Sequence, residues 1–388
     1  MPMTSRERVL SVLDHKVPDR VPIVLGVSNA TGIKMTPYKG LKKLLNISAP
    51  DAYLYDWPEL GSAKLDEETM HRLGGDVRGV LDRFPKIVYE KNKNRRPHAP
   101  CIDDWGTGQI EIEPGVWFPG YHPLAEADTV EELENYPNWP DMNDPSRIAH
   151  VKAEAAELAE ENEFAIMATP WLMFPFERAF GLQGMDKFLL NMAMYPDFAE
   201  ALLRKNLMLC KQLMENFLNE IGENIDIIKI GDDLGTQDRL MISPKMYRTL
   251  LKPIHAELIE HIKKFTKAKI FFHTDGDVFN LIDDFIEIGV DILNPIQTSA
   301  GKMADLVELK ARYGNNLVFC GAVDTQHVLP DGTPEEVRQE MKRVINILGK
   351  DGGYMVASVH TIMNEVPPEN ILAMVDAVEE FGYYPLKG

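Results

Sequence analysis

From residue 164 to residue 359 the chain repeats one unit: a short apolar run, a polar turn, then a segment with helical apolar spacing. The runs fall at 164–169, 225–230, 269–272, 291–294, 316–320 and 354–359. Most are rich in β-branched or aromatic residues and are too short for helices, so they read as buried strands. The segments between them carry helix signals. Thr333-Pro334-Glu335-Glu336 supplies an N-cap, a proline at the first helical position and an acid placed for a capping box. Val337, Met341, Val344, Ile345 and Leu348 then share one face. Ser243-Pro244 opens a second helix that Pro253 is expected to kink, and Pro368-Glu369-Asn370 opens the last. Strands alternating with helices imply parallel pairing through right-handed crossovers.

The first half adds two weaker strand candidates, 21–26 and 77–81, which brings the count to eight. No glycine-rich phosphate fingerprint follows any strand, against a dinucleotide fold. The expected architecture is an α/β (β/α)8 TIM barrel forming a single domain over residues 1–388. Residues 84–145, with Trp105, Trp117, Trp139 and a Pro/Gly-rich stretch, do not fit the repeat. They read as an insertion covering the barrel mouth, or as a surface excursion anchored by its aromatics; 109–113 and 116–118 are placed to form a hairpin.

Charge excludes several roles. The formal charge is −19, and such a surface repels phosphate backbones and anionic membranes. Neither nucleic acid nor membrane is therefore an expected partner. Three widely spaced cysteines form no disulfide framework, which suits a reducing compartment. The N-terminal segment lacks an apolar signal-peptide core, and no apolar run approaches the roughly 20 residues that span a bilayer. A cytoplasmic protein is expected.

In a parallel barrel the functional groups sit where strands end. Asp232 and Asp233 follow one strand, and neighbouring carboxylates push their pKa values apart, as general acid–base work requires. The plainer reading is one helix cap and one solvated acid. His273 and Asp275 alternate and so point the same way in extended backbone. With Cys320 and His360 on other strand ends they can gather a divalent metal such as zinc, though a buried cysteine more often packs and a buried histidine is often only hydrogen-bonded. Glu177 follows the 164–169 strand and Trp171; it either reaches the mouth or pairs with Arg178 or another base. Gln237, Asn294 and Asp324 lie just past strands, and with Trp171 are read as substrate contacts. Met167 and Met173 are candidates to line an apolar pocket, whereas His71, His150, His255 and His261 read as surface or helix positions.

These residues resemble the uroporphyrinogen-decarboxylase-like superfamily. The likeness runs through Thr4-Ser5-Arg6-Glu7-Arg8-Val9, Pro18-Asp19-Arg20-Val21-Pro22, Gly231-Asp232-Asp233 and His273-Thr274-Asp275-Gly276. It continues through Asn294-Pro295, Gly321-Ala322-Val323-Asp324, Gly352-Gly353-Tyr354 and Pro367-Pro368-Glu369-Asn370. Each motif is weak alone; together they are specific. In the decarboxylase branch an Arg-Gln-Ala-Gly run grips the substrate carboxylates. Here the stretch from Ile23 to Gly32 holds no arginine.

The resemblance therefore implies the other branch, the corrinoid-dependent methyltransferases. Some of these hold zinc through His-x-Cys and a distant Cys. This chain has His273-Thr274-Asp275 at the first place and His360 at the second. Relatives with His-x-Asp-Gly resemble the methyltransferase component of O-demethylase systems. The implied activity moves methyl from a small methylated substrate, an aryl methyl ether, to the Co(I) corrinoid of a partner protein. The metal is assigned to His273, His360 and Cys320, with Asp275 the alternative third ligand. Asp232 or Asp233 would position or protonate the leaving oxygen. Two rivals remain: a decarboxylase of a smaller carboxylate, and a non-catalytic tetrapyrrole or corrinoid binder.

Overall fold

The computed structural model describes residues 2–96, 99–113, 116–171 and 174–387. Seven parallel strands form one curled sheet: β1 (Val77–Val80), β5 (Ala165–Ala168), β6 (Ile227–Gly231), β7 (Lys269–His273), β8 (Ile292–Ile296), β9 (Val318–Val323) and β10 (Tyr354–Ser358). Each lies on a run expected from the sequence. The remaining strands, β2 (Cys101–Ile102), β3 (Gly108–Glu113) and β4 (Val116–Tyr121), form a separate antiparallel sheet in the excursion, including the expected hairpin.

The eighth candidate, 21–26, is not a regular strand, yet it bridges the edges of the sheet. Val24 N–H donates to Val356 O, Val356 N–H donates to Pro22 O, and Asp76 N–H donates to Ile23 O. Two features interrupt the ladder. Pro22 has no N–H to give, and the Ile23 N–H is taken by the Asp76 carboxylate at 2.8 Å. The barrel thus closes through a few bonds on each side of this segment.

Asp76 also explains the N-terminal motif. It is fully buried and holds Arg8 at 2.6 Å and Arg20 at 3.0 Å. The helix Ser5–Leu13 starts with a Thr4/Glu7 capping box, which presents Arg8 to Asp76 and Arg6 to Asp226. Both acids precede strands, so this latch lies at the N-terminal ends of the barrel, where it stabilises rather than reacts.

Outer helices follow the expected pattern. Pro334–Leu348 has its capping box and buries Val337, Met341, Val344, Ile345 and Leu348. The Ser243-Pro244 start leads into a π-helical turn, Tyr247–Leu251, before the helix Lys252–Ile262 that contains Pro253. Among the described residues no helix is long and apolar enough to cross a membrane. The excursion is pinned by Arg178, whose guanidinium pairs with Asp103 at 3.1 Å and lies 4.4 Å from the Trp105 ring. Glu177 and Arg178 therefore do not pair with each other: Arg178 faces the excursion, and Glu177 faces the barrel mouth.

Candidate metal centre at the strand ends

His273 ends β7, and the turn after it is fixed from both sides. Thr274 N–H donates to Asn294 O, Asp275 N–H donates to Asp233 Oδ1 at 2.9 Å, and Gly276 N–H donates to Gln297 Oε1 at 2.7 Å. Gly276 has φ +88°, and a Cβ there would fall 2.3 Å from the backbone of Gly235. Only glycine permits that approach, and it sets where Asp275 points.

His273, Asp275 and His360 converge. Their ligand atoms all lie within 4.8 Å of one another. His360 Nε2 is 3.8 Å from Asp275 Oδ2, too far for a hydrogen bond, and the other oxygen, Asp275 Oδ1, is buried with no partner. The His273 tautomer is set by its neighbour. Asn294 donates its amide to Cys320 O, so Asn294 Oδ1 accepts from His273 Nδ1 at 2.7 Å and leaves Nε2 with a free lone pair. Burial, with the nearby Lys229 and His360, holds His273 well below the usual histidine range. Burial, then Lys229 and Lys34, brings His360 down to about 4. Both rings are neutral near neutral pH, the form a metal needs. An orphaned carboxylate oxygen and two free imidazole nitrogens, held at the ends of β7 and β10, fit a divalent cation.

Cys320 does not join this group. It is fully buried in β9 beside the Asn294 amide, and burial pushes its thiol far up. Asp275 holds the third place that the sequence reading gave first to Cys320. Asn294 is likewise corrected from substrate contact to support of His273, because it is fully buried and bonded on both sides. Asn294→Leu is expected to weaken metal affinity about 10–100-fold, as loss of a metal-bound histidine's hydrogen-bond partner does; a competitive chelator titration reads it.

The two adjacent acids have different jobs. Asp232 is fully buried and accepts from Phe176 N–H (3.1 Å) and Glu177 N–H (2.8 Å). Phe174 precedes the helix Pro175–Gln183 without a capping side chain, so Asp232 caps it from another strand. His255 Nε2–H donates to Asp232 as well, at 2.9 Å, and Tyr247 O–H donates to the far side of that ring. Asp232 is thus a buried structural acid rather than a catalytic one, and His255, read as a surface or helix position, is a buried helix residue. Asp324 also serves its own turn, accepting from Gln326 and His327 N–H.

Two depressions meet at His360. The inner one is lined by Asn29, Trp171, Phe174, Glu177, Lys229, Asp233, His273 and His360. Burial, reinforced by Asp233 and Asp232, holds the Glu177 carboxyl well above the usual range. Burial likewise raises Asp275 and Asp233. The outer depression contains Gln237, Gln297, Gln326, Asp275 and His360. Trp171 and Gln237, both expected as substrate contacts, therefore sit on opposite sides of the triad. Met167 is buried in β5, and Met173 lies outside the described residues.

Lys229 was missed from sequence, although a lysine inside an apolar strand was its signal. It is buried and donates to Asn29 Oδ1 at 3.3 Å. Among the described residues it is the only lysine or arginine lining either depression. Asp82 was also missed. It accepts the Trp171 N–H at 2.5 Å and fixes that side chain's backbone, and burial lifts its carboxyl to about 7.

A (β/α)8 barrel with a nitrogen- and oxygen-donor triad at its strand ends, beside a buried acid and a lysine, is built as a catalytic barrel. Residues 109–381 match the family model described as uroporphyrinogen decarboxylase (URO-D), and the chain belongs to that family. It is 23% identical over 388 residues to the methylcobamide:CoM methyltransferase MtbA of Methanosarcina mazei, covering 98% of this chain and 99% of the relative. A uroporphyrinogen decarboxylase of Psychromonas ingrahamii is 25% identical over 190 residues, covering 45% of this chain and 51% of that protein. The fold matches that of a solved methyltransferase from Methanosarcina mazei with a TM-score of 0.63 at 18% identity, covering 98% and 99% of the two chains.

Proposed function

We propose that this protein is a methyltransferase that moves a methyl group from an aryl methyl ether or similar small methyl–oxygen compound to the Co(I) corrinoid of a partner protein. The observation that carries this is the donor set: His273, Asp275 and His360 offer nitrogen and oxygen, with the Glu177 carboxyl, pushed up by burial, in the adjoining depression. The full-length relative MtbA acts, by its name, between methylcobamide and coenzyme M. A thiol acceptor suits thiolate-rich zinc; a harder donor set suits an ether oxygen.

His273, Asp275 and His360 would hold the metal, with zinc the first candidate. When bound it supplies Lewis acidity toward the departing oxygen. The chain's own residues do the rest. Trp171 and Phe174 wall the inner depression and hold the apolar part of the donor. As the C–O bond breaks, its electron pair goes to oxygen and Glu177 gives that oxygen a proton. The Co(I) electron pair forms the new Co–C bond, so cobalt is oxidised to Co(III). Lys229 stands beside Glu177 and favours the carboxylate that remains. Asp233 keeps Asp275 in place through its backbone.

The excursion at 84–145 belongs to the same single-domain reading. Phe84 lies 5.9 Å from the Trp171 ring, and we extend its role to walling the donor side of the mouth. Three buried free cysteines and a Co(I) partner both suit the cytoplasm. Decarboxylation of a polycarboxylate would need several cations, and the described site residues provide one.

The test is methyl transfer from methoxybenzoates to reduced corrinoid by metal-loaded protein, followed spectrophotometrically. Methylation is expected, with Glu177→Gln slower by about 10²-fold or more. If metal-loaded wild-type protein methylates no corrinoid, or if it releases CO2 from a carboxylate instead, the reading is wrong.

A further inference from the structure

A methyl group passes between two nucleophilic partners only if they face it from opposite sides. The strand-end triad has two sides, and they differ in chemistry. On the inner side are Trp171, Phe174, Glu177 and Lys229. On the outer side are Gly235, Thr236, Gln237, Asp275, Gln297, Thr325 and Gln326, with His360 where the two sides meet.

In a chain with 60 acidic residues, the polar side chains of this outer rim are neutral amides and hydroxyls apart from the triad itself, with Val359 and two glycines among them. Gln297 is already used, accepting from Gly276 N–H. Gln237 and Gln326 are exposed, and among the described residues neither side chain has a hydrogen-bond partner. Among the described residues no lysine or arginine lines this side, so a phosphate or carboxylate ligand meets no counter-ion from them. Among the described residues no tryptophan, tyrosine or phenylalanine lines it either, so none of them offers a small aromatic donor a ring to stack on. A wide ligand edged with primary amides does find matching groups, because an amide both donates and accepts. The corrin ring has such an edge of acetamide and propionamide arms.

We propose that the outer side seats the corrin ring and that Gln237 and Gln326 hydrogen-bond its peripheral amides, while the methyl donor occupies the inner side. This rests on the methyl-transfer reading above. It also assigns the specificity for a neutral, amide-bearing corrinoid to residues outside the metal ligands.

The experiment uses free cob(I)alamin as acceptor, the metal-loaded full chain and a saturating methoxybenzoate. The Gln237→Ala/Gln326→Ala double variant is expected to raise the KM for cob(I)alamin about tenfold, the scale of two lost hydrogen bonds. The rate at saturating corrinoid and the KM for the methoxybenzoate should stay within about twofold, because uniform binding is what has been removed. Corrinoid with one amide arm hydrolysed to a carboxylate should be discriminated against by wild type and less so by the double variant. If wild type methylates cob(I)alamin and the double variant keeps its corrinoid KM, the seat assignment is overturned and methyl transfer stands. If the variant instead raises only the methoxybenzoate KM, the two sides are reversed and the assignment is overturned as well. Wild-type protein that methylates no corrinoid overturns methyl transfer, and the seat with it.

Discussion

His273→Ala is expected to lose both the bound metal and methyl transfer while the barrel stays folded. His273 supplies one of three ligands, and its Nε2 is kept free by Asn294. Two ligands alone hold a divalent cation far more weakly, so dialysed variant should carry little metal. Activity should fall by about 10³-fold or more, as expected when electrostatic stabilisation of a leaving group is removed. The structural cost is smaller. Asn294 loses one buried hydrogen bond, worth about 1–3 kcal/mol, while Asp275 and the turn around it keep their backbone bonds to Asp233 and Gln297. Elemental analysis after dialysis, alongside thermal unfolding, separates the two effects. A variant that keeps its metal and a tenth of its activity would remove His273 from the site.

Asp232→Ala should do the reverse and fail mainly in stability. The carboxylate receives two backbone N–H groups at the start of Pro175–Gln183 and the His255 ring, all in the interior. Its removal leaves those donors unpaired, and breaking such a buried network costs about 3–5 kcal/mol. That is a large share of the roughly 5–15 kcal/mol that holds a domain folded. The neighbouring Asp233→Ala loses one backbone acceptor and should cost less stability, but it loosens Asp275. Urea unfolding of both variants, with activity measured on the folded fraction, tests the division. Equal midpoints for the two would contradict it.

These adjacent acids show where sequence ran out. Alternation in an extended chain says that Asp232 and Asp233 point to opposite sides, but not which side meets the mouth. That was decided by Phe174, which cannot cap the helix Pro175–Gln183 and leaves its N–H groups for Asp232. The barrel itself was legible because its strands are short, mostly apolar runs between segments with helical spacing. The segment at 21–26 was legible as a strand candidate, yet Pro22 and the Asp76 carboxylate break its ladder. His273 and His360 could be paired in advance because both end strands. Cys320 could not be separated from Asp275 as third ligand, since strand position alone does not say which way a side chain faces. Lys229 was visible as a charge within an apolar run, but its meaning depends on Asp233 past its own strand and on Glu177 and Asp275, which two other elements bring to it.

The most direct test of the triad is a cobalt(II) titration of metal-free protein followed by absorption. His273, Asp275 and His360 without a cysteine predict one cobalt(II) per chain, visible ligand-field bands and no intense near-ultraviolet thiolate band, with binding lost in Asp275→Ala and kept in Cys320→Ala. A strong thiolate-to-cobalt band that disappears in Cys320→Ala, or no cobalt binding at all, would contradict the account.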